Sequence, residues 1–126
     1  MSTLTVSNIS DSTTTVGTNY ILSGSSRAWI NINASSTVTI TNSFNFSSVT
    51  DEATGKFDTS LTNAMANANY AGVCGPFESN SNTSIIAVAI DTTLSTASTV
   101  MVRVNTNSAG GWDAEFNCVS LLGDLA

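Results

Sequence analysis

Apolar and polar side chains alternate with period two along almost the whole chain, in short runs separated by turn-forming residues. Successive side chains on a strand point to opposite faces, so this pattern belongs to β-strands and does not fit one face of a helix. The runs cover residues 3–9, 27–33, 37–41, 43–50, 56–61, 67–74, 84–91, 99–106 and 113–122. Between them lie Ala34-Ser35-Ser36, Asp51-Glu52-Ala53-Thr54-Gly55, Gly75-Pro76 and Ala109-Gly110-Gly111, all turn chemistry. Short strands at such spacing predict an all-β fold, an antiparallel β-sandwich of jelly-roll-like type. The one helix candidate, residues 61–68, is rich in Asn, which disfavours helix.

The alternation changes character along the chain. In residues 27–33, Ala28, Ile30 and Ile32 share one face, and Arg27, Trp29 and Asn31 the other. In residues 84–91 the stretch Ile85-Ile86-Ala87-Val88-Ala89-Ile90 is apolar on both faces, and so is 116–122. A sandwich covers only one face of each sheet, so two-sided strands call for a neighbouring subunit. Ile86 and Leu121 are the positions expected to face it. The first 22 residues are Ser/Thr-rich with sparse apolar positions (Leu4, Val6, Ile9, Val16), either an arm that attaches to another chain or an ordinary edge strand. Residues 23–126 form the sandwich domain. At 126 residues the chain suits one domain.

Composition removes several function classes. Only 10% of the residues are charged, and the net charge of −6 comes from nine acids against three bases, Arg27, Lys56 and Arg103. Nucleic-acid binding needs Lys and Arg to neutralise phosphates, and anionic lipid needs a polybasic segment. Neither partner is expected. No apolar run is long enough to cross a bilayer as a helix, and the first residues lack the basic and apolar regions of a signal peptide. Synthesis in a cytoplasm is expected. Cys74 and Cys118 each lie in an apolar run and read as two buried free thiols acting as small hydrophobes, with a disulfide as the lesser alternative.

The chain has no histidine, which removes the commonest general base and the usual zinc ligand. No phosphate-binding glycine motif is present. No catalysis, metal or cofactor is expected. Asp113 and Glu115, two apart, would share a face of a strand, the arrangement that paired-carboxylate chemistry uses, but such spacing is common by chance. Asp51, Glu52 and Asp58 flank a turn without the spacing of a calcium loop. The Asn-x-Ser/Thr sequences at Asn8, Asn33, Asn45 and Asn82 are chance products of the composition. The surface candidate is the segment 105–113, in which Asn107, Trp112 and Asp113 put an aromatic ring beside polar side chains, the mixture a sugar site uses. The plainer alternative is a hairpin loop whose Trp folds back onto the sheet.

The stretch Arg27-Ala28-Trp29-Ile30-Asn31 is followed by Ser43-Phe44-Asn45-Phe46-Ser47-Ser48-Val49, then Thr50-Asp51-Glu52-Ala53-Thr54-Gly55-Lys56-Phe57. Asn63-Ala64-Met65-Ala66-Asn67-Ala68-Asn69-Tyr70-Ala71 and Arg103-Val104-Asn105-Thr106-Asn107 come later. This ordered series resembles a family of phage tail-fibre and receptor-binding domains, from Arg27 onward. The chain departs from that pattern in lacking Pro after Met65 and in having fewer basic residues. The resemblance implies a homotrimeric β-sandwich on a virion, with no catalytic residues. The expected partners are further copies of the chain, other virion proteins of the tail or the major capsid protein, and a host cell-surface glycan. A capsid decoration or cement protein, or a head fibre, is the alternative.

Overall fold

The structure, a computed structural model, describes residues 5–77, 86–106 and 110–126. The beginning of the 3–9 run, the front of the 84–91 run, the Asn82 sequence and Asn107 lie outside the described residues. Ten strands and one short helix follow the chain: β1 (Asn8–Ser10), β2 (Thr15–Gly17), α1 (Thr18–Gly24), β3 (Ala28–Asn33), β4 (Thr39–Phe44), β5 (Phe46–Ala53), β6 (Lys56–Leu61), β7 (Ala71–Phe77), β8 (Ile86–Ile90), β9 (Thr99–Thr106) and β10 (Phe116–Leu122). β1 and β2 pair only with each other. The other eight make two antiparallel four-stranded sheets, ordered β4-β3-β10-β7 and β5-β6-β9-β8. The α-helix was not expected at 18–24. Its seven residues are too few to show a helical period, and 61–68, whose Asn-rich composition argues against helix, forms none.

One hydrophobic core joins the two sheets. Ala28, Ile30, Ile32, Val119 and Leu121 come from the first sheet, and Phe57, Val100, Val102 and Val104 from the second, with Met65 at one end. The alternating burial of β6 and β10 is the sandwich signature, one face in and one face out. Leu121 is fully buried in this core, so it does not face a neighbour as the sequence suggested. The outward residues of β10 are Phe116, Cys118, Ser120 and Leu122. Cys118 therefore points out and is not the buried thiol that the sequence suggested, because its parity on β10 is that of the outer face, while Cys74, opposite Val119, packs against the core. Both thiols are free, and they lie on opposite faces of the sheet.

The wiring differs from a jelly roll. A jelly roll is one long hairpin rolled over two sheets, so that the second strand pairs with the last but one. Here the outermost pair, β3 and β10, does form, but β4 and β9 lie in different sheets. Local hairpins win instead. β5 and β6 are joined by the two residues Thr54-Gly55, with Gly55 at φ +68°, the left-handed conformation such a tight turn demands. β3 pairs with β4, and β8 with β9, across longer loops.

Asn45 carries the chain from one sheet to the other. It is the single residue between β4 and β5 and has φ +61°, which Asn tolerates better than most side chains. Its amide is occupied on both sides. Asn45 Nδ2 donates to the carbonyls of Asn63 (3.0 Å) and Arg27 (3.3 Å), and its Oδ1 accepts from the Asn63 backbone N–H at 2.8 Å. Asn45→Ala combines the left-handed penalty with the loss of these bonds and is expected to cost about 2–4 kcal/mol. Asn45→Gly loses the bonds but not the backbone freedom and is expected to cost about half as much. Urea unfolding of both variants measures the difference, and equal costs would show that the backbone conformation contributes nothing.

Candidate functional site

The segment singled out by the sequence is built onto the β5–β6 turn. Trp112 N–H donates to the Val104 carbonyl at 3.1 Å, Thr106 N–H donates to that of Gly110 at 3.0 Å, and Asn105 bridges to Gly111. Val104 N–H in turn donates to the Gly55 carbonyl at 2.8 Å. Gly111 lies so close that a Cβ there would collide with the Thr54 carbonyl, so no side chain fits at this contact. Residues 110–113 thus lie back along the end of β9 and over Thr54-Gly55.

Asp113 serves that contact. Its Oδ1 accepts the Gly55 backbone N–H at 2.7 Å, the orphan donor of the tight turn. The carboxylate is committed to holding two loops together, 58 residues apart in sequence. β10 begins only at Phe116, so Asp113 and Glu115 do not sit on a strand and the shared-face argument for a carboxylate pair does not apply. Asp51 and Glu52 are exposed at the end of β5, and Asp58 lies opposite Thr50 across the hairpin. Trp112 is 37% exposed, with part of its ring free for a contact. Trp112 and Asp113 are therefore brought together, one half open and one engaged in structure.

A second surface was not legible in the sequence. The four strands of the first sheet contain no charged residue, whereas those of the second carry Asp51, Glu52, Lys56, Asp58 and Arg103. The outward face of the first sheet has the registered row Phe44–Trp29–Ser120–Val73, flanked by Asn42–Asn31–Cys118–Gly75. Phe44 is 56%, Val73 63% and Trp29 38% exposed. A shallow groove of about 320 Å³ runs between Trp29, Val73, Gly75 and Cys118. The Cys118 thiol donates to Asn31 Oδ1, and burial pushes its pKa above the ordinary thiol value. Arg27, at the rim just before β3, turns its Nε onto the Gly123 carbonyl at 3.2 Å.

The outward face of the second sheet is different in kind. Lys56 lies opposite Arg103, and Asp58 opposite Met101. Arg103 Nε meets Asp91 Oδ2 at 2.6 Å, the one ion pair among the described residues. Thr93 donates to Asp91 Oδ1 through both its hydroxyl and its backbone N–H. The Thr93 hydroxyl, then the Arg103 guanidinium, hold the Asp91 carboxyl down at about 2, against burial, which acts the other way.

Comparison with family models, with curated proteins and with solved structures gives no match to this chain.

Two outcomes follow from these contacts. Asp113→Ala leaves the Gly55 N–H without its acceptor and is expected to cost about 1–3 kcal/mol. Amide hydrogen exchange is the direct readout: exchange at Gly55 is expected to rise well above that of the β6 amides, and an unchanged Gly55 rate would remove the role assigned to Asp113. The second outcome concerns acid. Asp91 titrates near 3.8 when unfolded and about 2 when folded, so its contribution is complete above pH 4 and is lost as the pH falls towards 2. Asp91→Asn is expected to be less stable at neutral pH and to show a flatter loss of stability between pH 4 and 2, measured by thermal melts across that window.

Proposed function

We propose that the chain is a non-enzymatic structural protein of a phage virion, a homotrimer of tail-fibre or receptor-binding type displayed for recognition of a host-surface glycan. The uncharged outer face of the first sheet carries this reading. A monomer with no further contacts gains nothing from an exposed Trp, Phe and Val in one row, and apolar patches of this kind are typical of protein interfaces. The face holds Asn, Ser and Thr between its apolar groups, and each of these both donates and accepts. Such a surface is compatible with another copy of itself. The motifs quoted from Arg27 onward support the virion assignment, and the absence of histidine from the sequence supports a binding rather than a catalytic role.

In this reading the 105–113 segment is the working end. The half-open Trp112 ring, held on a loop braced by Asp113, offers an apolar plane for a sugar. A single ring gives weak binding, and three copies on one particle multiply it through avidity.

Capsid decoration is the second reading, and the N-terminal hairpin favours it. Val6, Ile9, Val16 and Ile21 are all exposed there, and Ile9, Val16 and Ile21 line a shallow hollow of about 270 Å³ with Asp11 and Thr14. An apolar hairpin outside both sandwich sheets suits attachment to another virion protein. Synthesis in the host cytoplasm followed by assembly on the particle fits either reading.

Gold-labelled antibody against the chain, imaged on intact particles, separates them: label at the tail is expected, and label over the head would establish the decoration reading. Light scattering of the purified chain at micromolar concentration is expected to give the mass of three chains, and a folded monomer would defeat the proposal.

A further inference from the structure

We infer that the copies lock together through an aromatic knob and a groove on the same face: Phe44 of one copy fills the groove between Trp29, Gly75 and Cys118 of the next. This deepens the self-association proposed above and rests on it.

The groove exists because Gly75 has no side chain. It lies directly opposite Cys118, and a Cβ placed on it would meet nothing within 4 Å. Trp29 and Val73 stand on either side as walls, and the hollow of about 320 Å³ has room for an aromatic ring. The sheet's own Phe44 cannot reach it. Phe44 is on β4, at one edge, and the groove is centred on β10 towards the other edge. At a strand spacing of ~4.8 Å the separation is roughly 10 Å, beyond the length of the side chain. A second copy can supply the ring.

Phe44 is suited to be the knob. It is the most exposed aromatic on the face, and it stands on an edge strand. The next residue is Asn45, whose side chain ties the corner to Arg27 and Asn63. The backbone under the ring is thereby fixed before association, so little freedom is lost there on binding. Charge also points to a second copy. A basic or an acidic partner finds no opposite charge in the four strands of this sheet, whereas two uncharged faces meet without desolvating an ion. A four-stranded face measures roughly 20 Å by 20 Å in projection. That is about 400 Å², well under the ~800 Å² that each partner contributes to a standard interface, so the contact relies on the inserted ring as its anchor. Knob and groove sit towards opposite edges of one face, so around a three-fold axis each copy donates a Phe44 to one neighbour and receives one from the other.

The test uses the full chain as wild type, Phe44→Ala and Gly75→Val, followed by light scattering over a concentration series. Neither change touches the buried core, and circular dichroism with urea unfolding checks that each variant is folded. Both variants are expected to raise the concentration for half-assembly roughly tenfold or more, Phe44→Ala by removing the knob and Gly75→Val by filling the groove. Iodoacetamide gives an independent readout, because Cys118 lines the groove and Cys74 packs against the core. Cys118 is expected to be alkylated slowly in the assembled wild type and at the monomer rate in Phe44→Ala, which leaves the groove open. If the wild type assembles, neither variant changes the half-assembly concentration and Phe44→Ala does not change the Cys118 rate, the knob-and-groove contact is wrong and the self-association stands. If the wild type stays monomeric, both fall.

Discussion

A sandwich of two sheets buries one face of each, and whatever the sequence places on the two remaining faces meets water or another molecule. This constraint organises the chain. The inward rows, Ile30 and Ile32 with Val119 and Leu121 against Phe57, Val100, Val102 and Val104, supply the apolar burial that holds the fold together. The outward rows are then free to differ, and they do. One sheet turns Lys56, Asp58 and Arg103 to the outside, and the other turns out Phe44, Trp29 and Val73 among neutral polar groups. Two connections make the partition possible. Asn45 crosses between the sheets in one residue, and the Thr54-Gly55 turn starts the second sheet's central strand at once.

How much of this was legible in the sequence depended on whether the determining contact was local. Strands β6 and β9 fall on the expected residues, because strict alternation over an isolated run leaves one solution. The inward set Ala28, Ile30 and Ile32 was legible for the same reason. The break at Asn45 was not. Residues 43–50 alternate smoothly through it, and only the need to cross between sheets splits the run there. The strand order was not legible either, since hairpin and jelly-roll pairings use the same alternation. The assignment of Leu121 to a neighbour failed in an instructive way: a strand apolar on both faces does not reveal which face meets the core.

The candidate site was legible in outline only. Trp112 beside Gly110-Gly111 marked a loop but left open whether the ring stands out or folds back onto the sheet, and the structure places it between the two, 37% exposed. The commitment of Asp113 to the Gly55 N–H could not be read, because it joins two turns far apart in the chain. The outer face of the first sheet was not legible. The strands around Trp29, Phe44, Val73 and Cys118 lack any charge only within the bounds the structure gives them, while the runs 27–33 and 113–122 read from the sequence include Arg27, Asp113 and Glu115.

Net charge gives the partition a further consequence. Each chain carries −6, so in the proposed trimer repulsion would accumulate and oppose assembly. Repulsion between exposed charges fades beyond a Debye length of ~8 Å at physiological salt. Association through the uncharged sheet would place the charged strands a full sandwich thickness from the contact, ~10 Å between sheets before side chains are added. Association through the other sheet would bury Lys56, Asp58 and Arg103 and would expose the Asp91–Arg103 pair to desolvation. In the proposed trimer the charges that make the second sheet a poor interface would stay in water, and the first sheet would carry the contact, its neutral amides and hydroxyls re-pairing across it.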